Sequence, residues 1–163
     1  ISDGNEITTN FNKFSIIYAP GHTLDHVVLC DHENNLLFVG DVLFRLGCGR
    51  VFEGTLEQMQ NSLLKLFNLS DEMLVYCGHE YTLNNLKFLE HIFKKNKILK
   101  NVKKTIITEL NSKKRSIPFH LGDEKKCNPF LNQNCEMALE LRSKNNYSDF
   151  EFFTYLREGK DSF

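Results

Sequence analysis

The chain has no tryptophan, only three prolines, and no CxxC spacing among its five cysteines, Cys30, Cys48, Cys77, Cys127 and Cys135. An odd number of cysteines without that spacing argues against a disulfide framework and for free thiols in a reducing, cytoplasmic setting. No run approaches the roughly 18 apolar residues that a membrane helix needs, and no signal-peptide pattern is present. The net charge is only −1, so no global field draws the chain to nucleic acid or anionic lipid.

What is present is a soluble globular balance: 163 residues, 41% hydrophobic and 25% charged, with fourteen phenylalanines to fill a core. That length holds one ordinary domain or two small ones. The charge is unevenly spread. Residues 1–83 hold 4 basic and 11 acidic side chains, whereas 84–163 hold 16 and 10, which suggests two units with different work.

Short apolar runs at Phe14 to Ala19, His26 to Asp31 and Leu36 to Val39 read as strands, the last two joined by a turn at Glu33-Asn34-Asn35. Thr55 opens a helix with Gln58 as its capping-box partner, and Leu56, Met59, Leu63 and Leu66 give its apolar face. Met73 to Cys77 is a further strand, so an α/β layer is expected up to about residue 83. Beyond it, Leu83 to Phe93, Ile98 to Leu110, Cys135 to Leu141 and Phe150 to Leu156 read as helices with no convincing strand. Ser148 and Glu151 form a second capping box, with Phe150, Phe153 and Leu156 as a stripe. Ser112 to Asn132, carrying Pro118, Gly122 and Pro129, reads as irregular.

Three potential metal ligands each fall at the end of an expected strand: His22 after Pro20-Gly21, Asp41 after Gly40, and His79 after Cys77-Gly78. Rigid strands aim residues held on the short loops beyond them, and His with Asp suits Zn²⁺, Fe²⁺ or Mn²⁺. A histidine at a strand end is ordinarily a surface or core residue, however, and Gly-Asp an ordinary turn. Spacing alone leaves both readings open.

The surrounding segments PGHTLDH, FVGD, GCGRVFEGT and YCGHEYTLNNLKF, with LREGKDSF at the end, resemble the glyoxalase II (hydroxyacylglutathione hydrolase) branch of the metallo-β-lactamase superfamily. The resemblance implies an α/β (α+β) fold: the C-terminal half of an αββα sandwich over 1–83, then an all-helical glutathione-binding domain over 84–163. It implies two metal ions per complete site, Zn with Fe or Mn as alternatives, with His22 on one, His79 on the other and Asp41 bridging. It implies hydrolysis of glutathione thioesters, S-D-lactoylglutathione to D-lactate and glutathione. Arg50, Phe52, Tyr81, Arg157 and Lys160 would surround the tripeptide, cations meeting its carboxylates. The expected partner is that substrate, with neither nucleic acid nor membrane, in a monomer or weak dimer.

Three positions depart from the branch. Arg50 stands where Lys is common, and Phe52 where Tyr is common, so one hydrogen bond to glutathione is lost at a cost of about 0.5–1.5 kcal/mol. Asp25 replaces a frequent Gly before His26, which reads as structural. Two ions need roughly eight contacts; His22, Asp41 and His79 supply four at most. The upstream THxHxDH segment of the family has no counterpart here, and His32, His91 and His120 are isolated. With Ile1 as its first residue, the chain is expected to be catalytically incompetent as given, its activity belonging to a longer parent. A persulfide dioxygenase keeping one iron is the nearer alternative. A non-catalytic module binding an acidic partner or RNA through Lys94, Lys95, Lys97, Lys100, Lys103 and Lys104 is the more distant one.

Overall fold

The computed structural model describes residues 2–163. Eight strands form a six-stranded sheet and a small hairpin, and six helices pack around them. The sheet begins with β1 (Glu6–Thr8), β2 (Lys13–Tyr18), β3 (Val27–Asp31) and β4 (Leu36–Gly40), each antiparallel to the one before. The chain then leaves the sheet through the hairpin of β5 (Leu43–Phe44) and β6 (Gly47–Cys48) and through α1 (Leu56–Phe67). It returns as β7 (Leu74–Cys77), parallel to β4, as a crossover of that length permits.

Local chemistry explains the anchoring helices. Both capping boxes form, Thr55 with Gln58 on α1 and Ser148 with Glu151 on α6 (Asp149–Asp161), satisfying amides that a helix start leaves free. Met59, Leu63 and Leu66 of α1 are buried. Ser62 on the same helix donates to the Pro20 carbonyl at 2.7 Å, fixing the loop that carries His22. On α6 the buried face is Phe152, Phe153, Leu156 and Arg157, whereas Phe150 is 43% exposed. Two residues of helix separate Phe150 from Phe152 by about 200°, so the expected stripe is corrected by that rotation.

The rest of the second half is α2 (Thr82–Ile92), α3 (Lys97–Lys113), α4 (Leu121–Cys127) and α5 (Glu136–Asn145), with one strand, β8 (Phe119–His120). That strand pairs antiparallel with β7, Val75 against Phe119, and extends the sheet from beyond residue 83. The segment 112–132 is therefore not irregular throughout, and the expectation of no strand there is corrected. Two residues after Pro118 are too short for alternation to register, and pairing with an open edge makes them a strand. The core is continuous across both halves, from Val28, Leu37 and Val75 on the sheet to Phe88, Phe130 and Phe152 on and between helices. On the sheet's other face Phe14 packs edge-on to Phe38 at 5.9 Å and Phe38 stacks on Tyr76 at 5.1 Å, with Phe38 37% exposed. All five cysteines are free, as expected. No helix among the described residues is long and apolar enough to cross a membrane.

Candidate metal centre and ligand cavity

The eight residues singled out from the sequence, His22, Asp41, Arg50, Phe52, His79, Tyr81, Arg157 and Lys160, line one cavity of about 450 Å³. At one end lie the strand-end donors. His22 Nε2 stands 3.4 Å and His79 Nε2 3.7 Å from Asp41 Oδ2. Asp41 follows β4 and His79 follows β7, so the parallel pairing of these two strands brings the two loops side by side.

Two glycines of the motifs are explained by contact with Asp41. A Cβ on Gly78 would lie 2.5 Å from Asp41 Oδ1, and one on Gly49 only 1.8 Å from the Asp41 carbonyl oxygen. Nothing larger leaves room for the carboxylate. His26 accepts a hydrogen bond from the Asp41 amide at 3.2 Å, holding the same loop, and burial pushes its imidazole below the ordinary value.

The donors fit a cation. His22 Nδ1 is 2.8 Å from the Arg50 carbonyl, which can only accept, so the ring proton sits on Nδ1 and the Nε2 lone pair faces Asp41. Two acceptors pointed at each other are stabilised by a metal ion between them or by a proton on Nε2. Their 3.4 Å separation matches the edge of a tetrahedron with bonds of about 2.0–2.1 Å. Asp41 Oδ1 is buried without a hydrogen-bond partner, another acceptor held in reserve. Among the described residues, no three His, Cys, Asp or Glu side chains already close around a single ion position. The arrangement is thus part of a donor set, strongest at the His22–Asp41 pair.

Residues 50–54 strap this end to the other. The Phe52 and Glu53 amides donate to the His22 carbonyl at 3.2 and 3.3 Å, and the Phe52 ring lies 5.0 Å from the His22 ring. Tyr81 stacks on His79 at 5.0 Å and packs edge-on to Phe44 at 5.1 Å. The hairpin that carries Phe44 and Cys48 is held from beneath by α4 and the residue after it. Glu124 accepts from the Leu46 amide at 2.7 Å, and Asn128 donates to the Phe44 and Gly47 carbonyls at 3.2 and 3.1 Å. This support stabilises Leu46 at φ +60°.

The far end is cationic. Arg157, 4% exposed, donates through Nη1 to the Cys48 carbonyl at 3.0 Å and lies over the Phe130 ring. Lys160 donates to the Asn84 carbonyl at 3.2 Å; burial, with Arg157 and Arg50 nearby, lowers its ammonium below the ordinary value. Arg50 is exposed, and its Nε donates to Asp161 at 2.9 Å. Phe44, Cys48, Asn84 and Asn85 also line the cavity and were missed. The only local signal was the Asn84-Asn85 pair itself, inside a segment that reads as an ordinary helix. The lysines of α3 and the turn before it surround a separate groove of about 960 Å³, where Lys103 pairs with Glu90.

A sheet presenting metal donors on the loops beyond its strands defines the class: residues 2–79 match the model of the Metallo-beta-lactamase superfamily, which implies metal ions. Residues 80–163 match the model described as Hydroxyacylglutathione hydrolase C-terminus, and the chain belongs to the hydroxyacylglutathione hydrolase family. It is 44% identical to a hydroxyacylglutathione hydrolase of Bartonella tribocorum over 145 residues, 89% of this chain and 57% of that one. It is 42% identical to one of Pseudoalteromonas translucida over 170 residues, 100% of this chain and 65% of that one. The chain therefore spans about three fifths of the length of these curated relatives. The fold is shared with the crystal structure of ETHE1 from Myxococcus xanthus: TM-score 0.56 and 24% identity, over 98% of this chain and 60% of the other.

Proposed function

We propose that the chain carries the C-terminal share of the active centre of a glutathione thioester hydrolase, acting on S-D-lactoylglutathione to give D-lactate and glutathione. The observation that carries the reading is a single cavity lined both by the donors His22, Asp41 and His79 and by the cations Arg50, Arg157 and Lys160. A glutathione thioester has that polarity, with carboxylates on the tripeptide and a reactive carbonyl at the sulfur.

His22 and His79 both approach the same Asp41 oxygen, so these three residues would hold the metal ions, with the carboxylate within reach of both imidazoles. Bound metal ions supply Lewis acidity and an activated water near neutral pH; zinc suits the donors, as do iron and manganese. The chain's own groups do the rest. The Arg50 carbonyl holds the His22 tautomer, Phe52 packs beside the His22 ring, and Tyr81 stacks on His79, whose side chain stays 55% exposed. The cations bind the tripeptide by charge-assisted hydrogen bonds. Residues 1–83 supply the metal donors, and the helical residues 84–163 share glutathione recognition with Arg50, Phe52 and Tyr81.

Three protein donors are fewer than two ions require, so the isolated chain should take up metal weakly and turn over slowly or not at all. The test combines metal content after equilibration with Zn²⁺, S-D-lactoylglutathione hydrolysis, and calorimetric glutathione binding. The expected result is well under two ions per chain, little turnover and measurable glutathione binding. Two tightly held ions with rapid turnover would overturn the incompetence; no binding at millimolar glutathione would overturn the substrate assignment.

A further inference from the structure

Asp161 ends α6 as an acidic residue among cations. Its Oδ1 accepts from Arg157 Nη2 at 3.0 Å and from Arg50 Nε at 2.9 Å. The two guanidiniums differ in setting. Arg157 is buried and pinned by the Cys48 and Gly49 carbonyls at 3.0 and 3.4 Å. The Arg50 side chain is 54% exposed and lines the cavity. Among the described residues, its two terminal nitrogens have no partner within the chain.

We propose that Asp161 is a positioning residue that couples Arg50 to the buried Arg157 and so aims the free edge of the Arg50 guanidinium at a ligand carboxylate. The inference rests on the glutathione reading and adds to it a reason for arginine at position 50. A lysine has one nitrogen; paired with Asp161, it keeps no second group in a fixed direction. A guanidinium donates through Nε to Asp161 and still presents two parallel donors, the fork that matches a carboxylate. One carboxylate shared by two guanidiniums, with Lys160 alongside, leaves this end net positive, so the ligand's own carboxylate is still attracted.

The discriminating probe is the carboxylate itself. Asp161→Asn and Arg50→Lys, singly and together, are titrated calorimetrically with glutathione and with its two mono-amides. Each single variant should weaken glutathione about fivefold to tenfold, and the double variant no further, because the two residues act as one unit. For the mono-amide lacking the carboxylate that meets Arg50, wild type and Asp161→Asn should bind alike.

Additive losses, equal losses for all three ligands, or tighter binding by Asp161→Asn would overturn the positioning role while leaving the glutathione reading intact. Should Asp161→Asn fail to fold, the exposed Arg50→Lys decides. Unchanged preference for glutathione over both mono-amides in that variant overturns the proposal. Wild-type protein that binds none of the three overturns the glutathione reading, and this inference with it.

Discussion

The two ends of the cavity follow opposite rules of satisfaction. At the donor end, lone pairs face one another, and Asp41 Oδ1 is buried without a partner. At the cationic end the charges are mostly committed within the chain, Arg157 to Cys48, Gly49 and Asp161 with only its Nε buried without a partner, and Lys160 to Asn84. Buried polar groups are normally paired. A cluster of unpaired acceptors therefore marks where something external completes the structure. A cluster of paired cations marks the other strategy: groups locked in place beforehand, so that binding costs little ordering of side chains.

The largest effect should come from removing the shared acceptor. Asp41→Ala is expected to lower Zn²⁺ affinity at least about 100-fold, more than the loss of an outer-shell partner. The same change should raise the thermal midpoint of the metal-free protein, because it removes a buried oxygen that nothing satisfies. Zinc titration and melts with and without chelator check both. A falling metal-free midpoint would mean that Asp41 already stabilises its loop, and the contrast between the ends would collapse.

How much of this was legible in the sequence follows the range of the interactions. The capping boxes, the strands at Phe14 and Leu36 and the loops carrying His22, Asp41 and His79 are written in adjacent residues, and they formed where expected. The hairpin Leu43–Cys48 was not, because its strands are two residues long and its support comes from Glu124 and Asn128, about eighty positions away. No local pattern announces a carboxylate that will accept a distant amide. Phe150 failed for a different reason: several helical phases fit a segment so rich in phenylalanine, and only packing selects one.

Glu124 also offers a way to test whether the hairpin truly joins the two ends. Complete burial pushes its carboxyl up to about 7, against the hydrogen bonds from Leu46 and Asn128 and the nearby Arg45 charge, which lower it. Between about pH 4.5 and 7 the unfolded chain releases this proton while the folded chain keeps it. Folding stability should therefore fall as pH rises through that window, by roughly 1–3 kcal/mol. Glu124→Gln should flatten the slope, leaving stability at pH 5 nearly unchanged and raising it at pH 8. Denaturant melts across pH 4–8 measure this. Glutathione and zinc affinities changing together in the variant would show that the hairpin couples the ends; a change in one alone would keep them separate.

The smallest change falls on the residue that touches both ends. Phe52 packs its ring 5.0 Å from the His22 ring, lines the cavity and is 66% exposed. Tyrosine keeps the ring beside the imidazole and adds a hydroxyl at the cavity wall. Phe52→Tyr should strengthen glutathione binding by about 0.5–1.5 kcal/mol, the net worth of one hydrogen bond, and leave zinc affinity unchanged. Calorimetry with each ligand separately measures the two effects. If zinc affinity shifts as far as glutathione affinity, the ring is doing more than packing beside His22, and the donor end is not independent of what binds at the cationic one.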